Sequence, residues 1–199
     1  MALPVQRRRG ALLLLAGLVV LGACQPAPPP APFKSIDITG APYARDFRLP
    51  DPDGTMRSLG DFKGKVVPVF FGFAQCPDVC PTALGRAAEV RKLLGADGSK
   101  VQVVWITVDP ERDTPEVLRE YMQAFDPSFI ALRGNTEQLA ATAKEFKVFF
   151  QRVPTKNSYT MDHTAVTYAF DPKGRARLAL RHDQSAADVA ADLKMLLSD

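Results

Sequence analysis

The sequence predicts an α/β fold in a single domain with an N-terminal β-hairpin. Three observations predict it. Near-continuous apolar runs at 65–71 and 101–109 have the length and the β-branched and aromatic content of buried strands. After each of them, apolar residues recur at helical spacing behind a proline placed for the first turn of a helix, Pro81 and Pro115. Turn tetrads, DPDG at 51–54 and DPKG at 171–174, separate short extended runs. With 199 residues, 46% hydrophobic and 24% charged, the chain can build one core and carry an N-terminal extra.

The elements follow in order, with the domain assigned to 43–199. DFRLPDPDGTMRSLGDF reads as two short strands around the 51–54 turn and then a further turn, which is the hairpin. Residues 65–71 are a buried strand in which Pro68 removes a ladder donor, so a bulge or an unpaired edge is expected there. A helix from Pro81 to the stop at Gly95 carries Leu84, Ala87, Ala88, Leu93 and Leu94 on its apolar positions. VQVVWITVD is the next strand. Asp113 or Thr114 caps a helix through Phe125, with Pro115 first and Glu116 in the first turn, where the helix dipole favours an acid. A strand at 129–132, a helix at 136–146 and a strand at 147–153 come next. Runs 165–170 and 176–181 pair antiparallel across DPKG, and 185–197 closes the chain as a helix. Strands alternating with helices and ending in a hairpin and a helix give a thioredoxin-like arrangement, with no internal repeat.

The N-terminus has a different character. Arg7, Arg8 and Arg9 form a basic start, 10–20 is an apolar run, and Gly22 and Ala23 are small residues before Cys24, so 1–23 reads as a lipoprotein signal peptide. The run is short of the roughly 20 apolar residues that a membrane helix needs. LGAC at 21–24 resembles a bacterial lipobox, in which the signal is removed and Cys24 takes the lipid. An uncleaved signal anchor with snorkelling arginines is the alternative. Residues 24–42, including QPAPPPAP, form a Pro-rich tether of extended, polyproline-like character. Either anchor places the domain outside the cytoplasm.

Removing Arg7, Arg8 and Arg9 lowers Lys+Arg from 25 to 22, equal to the 22 Asp+Glu, so the mature chain is formally neutral despite a sequence pI of 8.8. That leaves no basic field or stripe for nucleic acid. With Cys24 lipidated, two of the three cysteines remain as thiols, Cys76 and Cys80, in an oxidising compartment where such a pair tends toward a disulfide unless a metal or reductant intervenes.

That pair, in FFGFAQCPDVCPTAL, carries the chemistry. Four-residue spacing puts both sulfurs on one side of a helical turn, and a strand-to-helix junction offers free N–H groups and a dipole that favour thiolate. Two thiols with the distant His163 of YTMDHTAV form a candidate three-ligand metal site, whose sulfurs suit Cu(I). The competing readings are a disulfide that staples one turn, which by loop length stabilises little, and an ordinary hydrogen-bonded histidine. His163 is placed on the loop before the 165–170 strand. His182 reads as solvated. Asp162 is a candidate for orienting the His163 ring or its loop, Asp78 is exposed between the cysteines, and Asp109, Glu111, Arg112 and Asp113 form a charged loop that either caps a helix in solvent or supports the site or docks a partner.

FFGFAQCPDVCPTAL, ITVDPERDTPEVLREY with FDPSFIAL, and DHTAVTYAFDPKG together resemble the Sco/SenC family of copper-binding assembly factors for cytochrome c oxidase, across about 47–197. The resemblance implies copper, as Cu(I) or Cu(II), on Cys76, Cys80 and His163, a redox-active disulfide between Cys76 and Cys80 when metal is absent, and cytochrome c oxidase subunit two as partner, with other periplasmic copper carriers or thiol reductases beside it. Pro68 departs from the aliphatic residue usual in the family. A carrier rather than an enzyme is expected, periplasmic and lipid-anchored at the outer face of the inner membrane. A thiol–disulfide oxidoreductase is the main alternative, weakened by CxxxC spacing where exchange usually uses CxxC; a copper or redox sensor is a third class.

Overall fold

The two long apolar runs lie side by side at the centre of a sheet. The computed structural model describes residues 33–198, so the expected signal peptide, Cys24 and residues 24–32 of the tether lie outside the described residues. In chain order the strands are β1 (Ile36–Asp37), β2 (Leu49–Pro50), β3 (Met56–Arg57), β4 (Val67–Gly72), β5 (Val104–Thr107), β6 (Ile130–Leu132), β7 (Phe150–Pro154), β8 (Tyr159–His163), β9 (Val166–Phe170) and β10 (Ala176–Arg181). The helices are α1 (Val79–Leu93), α2 (Pro115–Phe125), α3 (Thr136–Phe146) and α4 (Ala186–Leu196).

Six strands form the main sheet in the order β1-β10-β9-β4-β5-β6, with β4, β5 and β6 parallel and the other pairings antiparallel. Every residue of β4 and β5 is buried, as continuous apolar runs require of strands covered on both faces. On one face, Val90 of α1 and Val189, Leu193 and Leu196 of α4 cluster with Val66, Leu178 and Leu180. On the other, Phe146 of α3 meets Phe71 with ring centres 5.2 Å apart, Tyr168 at 5.7 Å and Phe170 at 6.0 Å. α2 begins as the sequence indicates: Thr114 caps it by accepting from the Val117 N–H, with Pro115 in its first turn. The expected N-terminal hairpin is present as the two-residue strands β2 and β3.

Pro68 sits in a central strand rather than at an edge or a bulge. Pairing between β4 and the following strand is interrupted there: an isolated bridge joins Val66 to Val101, and the ladder resumes at Val69↔Val104. The pairs on either side keep one register, and the N–H of Val66, two residues before, bonds that neighbouring strand, so the gap is the one ladder bond that Pro68 cannot donate.

Two strands exceed the sequence reading. β8 pairs with β7 as a separate two-stranded sheet, in register Phe150↔His163, so His163 ends a strand instead of lying on a loop. β1 lies within the stretch expected to be tether, and pairs with β10 through Ile36↔Ala179 and Asp37↔Leu178. Its approach is fixed by Asp192 of α4, 1% exposed, which accepts the Lys34 N–H at 2.9 Å, the Ser35 N–H at 2.8 Å and the Ser35 hydroxyl at 2.5 Å. Structure in the chain therefore begins N-terminal to residue 43.

Removing a buried charged acceptor leaves its donors unsatisfied and costs about 2–3 kcal/mol. Asp192→Ala is expected to lower the urea-unfolding free energy by that amount with little change in slope; a loss below about 0.5 kcal/mol would show that the 33–37 segment contributes nothing to the fold.

Candidate metal centre

The end of β4 and the start of α1 carry both cysteines. After Gly72 the chain turns through 73–78, where the Cys76 N–H donates to the Phe73 carbonyl at 3.2 Å, and α1 starts at Val79, putting Cys80 in its first turn. Cys76 is half-buried and Cys80 buried; both are free thiols. The Cys80 N–H, one of the donors left free at a helix start, points to the Cys76 sulfur at 3.4 Å. Burial pushes the Cys80 thiol far above its ordinary range, and the nearby Cys76 adds to this. At Cys80 burial thus acts against the thiolate that a helix start favours.

β8 brings the third group. His163 Nε2 lies 3.6 Å from the Cys80 sulfur. Its Nδ1 faces the Thr164 carbonyl at 3.2 Å, an acceptor, so Nδ1 carries the proton and Nε2 presents its lone pair to the sulfurs. Burial lowers the pKa of His163, which favours this neutral form at pH 7. The ring is held edge-on by Phe70, centres 6.0 Å apart, and Phe73 at 5.8 Å. One ligand atom each from Cys76, Cys80 and His163 lie within 4.8 Å of one another. A metal bonded to N and S at about 2.0–2.3 Å needs ligand atoms that close, so the donor set fits a soft or borderline cation.

The neighbouring residues divide differently from expectation. Asp162 is exposed on the opposite face of β8, and the bond that fixes the ring comes from Thr164. Asp78 is exposed before α1 and makes no side-chain cap. His182 is exposed as expected. The charged loop 108–114 is not simply solvated: Asp109 and Asp113 are buried, and Glu111 is exposed. Asp113 accepts the Thr107 hydroxyl at 2.5 Å and the Ala74 N–H at 3.1 Å, tying the loop to the cysteine segment. Arg112 pairs with Asp109 and donates to Gln75 Oε1 at 3.0 Å.

Gly72 is a residue that sequence reasoning passed over. A Cβ there would lie 2.4 Å from the Trp105 indole and 2.9 Å from the Cys80 sulfur, so only glycine lets the two pack over the strand. A glycine interrupting an otherwise bulky apolar strand is the signal for such an approach.

The SCO1/SenC family model matches residues 37–198. The chain is 36% identical over 188 residues to the SCO2-like protein of Rickettsia felis, covering 93% of this chain and 89% of that protein. Among solved structures, ScoI of Bradyrhizobium japonicum with copper bound is similar at a TM-score of 0.69 and 40% identity, covering 76% of this chain and 97% of that one. A SCO1/SenC family lipoprotein from Bacillus anthracis is similar at a TM-score of 0.65 and 26% identity, covering 76% and 92%.

Gly72→Ala is expected to destabilise the domain by about 1–3 kcal/mol through overpacking and to change the near-UV circular dichroism of the chain's single tryptophan, Trp105. An unaltered spectrum together with an unaltered unfolding midpoint would show that the close approach imposes no constraint.

Proposed function

The chain belongs to the SCO1/SenC family, and on that premise we propose that it is a copper carrier which binds Cu(I) or Cu(II) through Cys76, Cys80 and His163 and helps assemble cytochrome c oxidase. The observation that carries this reading is the convergence of the three ligand atoms within 4.8 Å, from segments 83 residues apart in the chain. Copper bound in the similar Bradyrhizobium protein supports the choice of metal. So does the donor chemistry: thiolates select Cu(I), and an imidazole extends the set to Cu(II). Two thiolates and one imidazole are neutral with Cu(II) and carry a single negative charge with Cu(I).

In this reading copper is cargo. Cys80 supplies a buried sulfur whose proton leaves when metal arrives, since only the thiolate ligates. Cys76 supplies a sulfur that solvent and partners can reach. His163 arrives already in the tautomer that ligates. The client is the binuclear copper centre of cytochrome c oxidase subunit two, with other periplasmic carriers or thiol reductases exchanging copper or electrons at Cys76 and Cys80. The domain is anchored by lipid on Cys24 at the outer face of the inner membrane; the LGAC run supports this, as does the similar lipoprotein from Bacillus anthracis. Among the described residues no helix is long and apolar enough to cross a membrane.

Purified mature protein is expected to hold about one copper per chain, the stoichiometry of one three-ligand site, and Cys76→Ser or Cys80→Ser to lose tight Cu(I) binding. His163→Ala separates the carrier from a thiol oxidoreductase. As a carrier this variant loses Cu(II) binding and oxidase assembly in a complementation assay while Cys76 and Cys80 still oxidise and reduce normally; full complementation would move the function to disulfide exchange. Cys24→Ala is expected to keep copper binding and fold but to release the protein from membranes, and membrane association that survives the change without cleavage would point to an uncleaved anchor.

A further inference from the structure

The cysteine half of the site is built into the central sheet and α1; the histidine half is not. β7 and β8 bond only to each other among the described strands, and an isolated two-stranded hairpin is marginal on its own. Residues 151–158 along the hairpin are exposed. The ring of His163 is met by aromatic edges and by the carbonyl of its own neighbour, neither of which fixes a strand strongly. Phe150 and Met161 pack against the core, and the far end of the hairpin needs a further tie to hold Nε2 at the height of the sulfurs.

We propose that Arg112, acting through Tyr159, is the positioning residue that holds His163 over the cysteine pair. The inference rests on His163 being a copper ligand. Arg112 Nη1 donates to the Tyr159 carbonyl at 2.8 Å and to Gln75 Oε1 at 3.0 Å, so one guanidinium joins the histidine hairpin to the cysteine loop. Its plane also lies 3.7 Å from the Tyr159 ring centre, and the Arg152 guanidinium lies 4.0 Å from the same ring while pairing with Glu111. The Tyr159 hydroxyl donates to Asp109 Oδ1 at 2.9 Å, while Asp109 Oδ2 takes Arg112 Nε. Asp109 is 2% exposed and the Arg112 side chain 17%, so this pair is shielded from the screening that weakens surface ion pairs. Tyr159 and His163 are four residues apart on one strand and share a face, roughly 13 Å from end to end of the strand. Fixing Tyr159 fixes the register and reach of His163. A lysine could keep the charge against Asp109 but not the fork that bonds Gln75 and Tyr159 together or the flat stacking.

The experiment uses the mature chain with Cu(II) added, in wild type, Tyr159→Ala, Tyr159→Phe, Arg112→Lys and His163→Ala forms. Nitrogen hyperfine coupling and the thiolate-to-copper absorption band are read with metal, and amide hydrogen exchange of 150–163 without it. The expected result is that Tyr159→Ala and Arg112→Lys lose the nitrogen coupling as His163→Ala does, weaken Cu(II) affinity by about 10–100-fold, and speed hairpin exchange while β4 and β5 amides keep their protection. Tyr159→Phe, which retains stacking and the carbonyl bond, stays near wild type. Wild-type nitrogen coupling and wild-type hairpin protection in both Tyr159→Ala and Arg112→Lys would overturn the positioning role and leave His163 as a ligand. Absence of nitrogen coupling already in the wild type would overturn both the histidine ligand and the inference resting on it.

Discussion

The backbone at Gly72 lies so close to the Trp105 indole and the Cys80 sulfur that no side chain fits there. This contact sets how closely the Trp105 indole and the first turn of α1 pack over the end of β4. Trp105 is fully buried and is flanked by Phe70, tilted with centres 5.4 Å apart, and by Tyr121, edge-on at 5.6 Å. Phe70 in turn meets the edge of the His163 ring. An aromatic chain thus runs from α2 through the sheet to the histidine, and the sulfur rests against its middle. Interiors packed at crystal-like density transmit such constraints, because neighbouring rings have no free volume in which to adjust.

The loop after β5 does for the polar groups what this stack does for the apolar ones. Thr107, Asp109, Arg112 and Asp113 are bonded among themselves and reach outward to Ala74, Gln75 and Tyr159. Asp113 is pushed above the usual carboxylate range, first by burial, while the Thr107 hydroxyl and the Ala74 N–H act to hold it down. A network of this kind rigidifies what it joins when nearly every member is satisfied.

Much of this was readable from the chain. Five of the six strands of the main sheet, β1 excepted, and all four helices follow from apolar period, proline placement and turn tetrads, because those signals are local. The candidate trio Cys76, Cys80 and His163 was also legible: CxxxC at a strand-to-helix junction is a local pattern, and His163 stands in a motif. What the sequence concealed depends on distant partners. β1 is two residues long, with Ile36 exposed, and is specified by Asp192 some 157 positions away, an acid that reads as solvated on a helix. β8 was hidden because its alternation is only five residues long and ends in a histidine; of its inward residues Met161 packs on the core, while Tyr159 meets Arg112 and His163 the site. Asp109 and Asp113 look like loop acids until Thr107, Ala74 and Arg112 are seen around them. Pro68 reads as an edge signal and proves central, where the sheet loses its one N–H donor between pairs that stay in register.

Both margins of the main sheet are short. β1 offers two residues and β6 three, while the longer strands lie inside with partners on both sides or, for β10, beneath that short cover. A sheet edge is a template for adding strands from another chain, and its strength as a template grows with the row of unpaired N–H and C=O groups it presents. Here that row is too brief to nucleate pairing between copies. The main sheet therefore offers copies of the chain little edge to pair with, and the longest open edges among the described strands belong to the five-residue β7 and β8 beside the site.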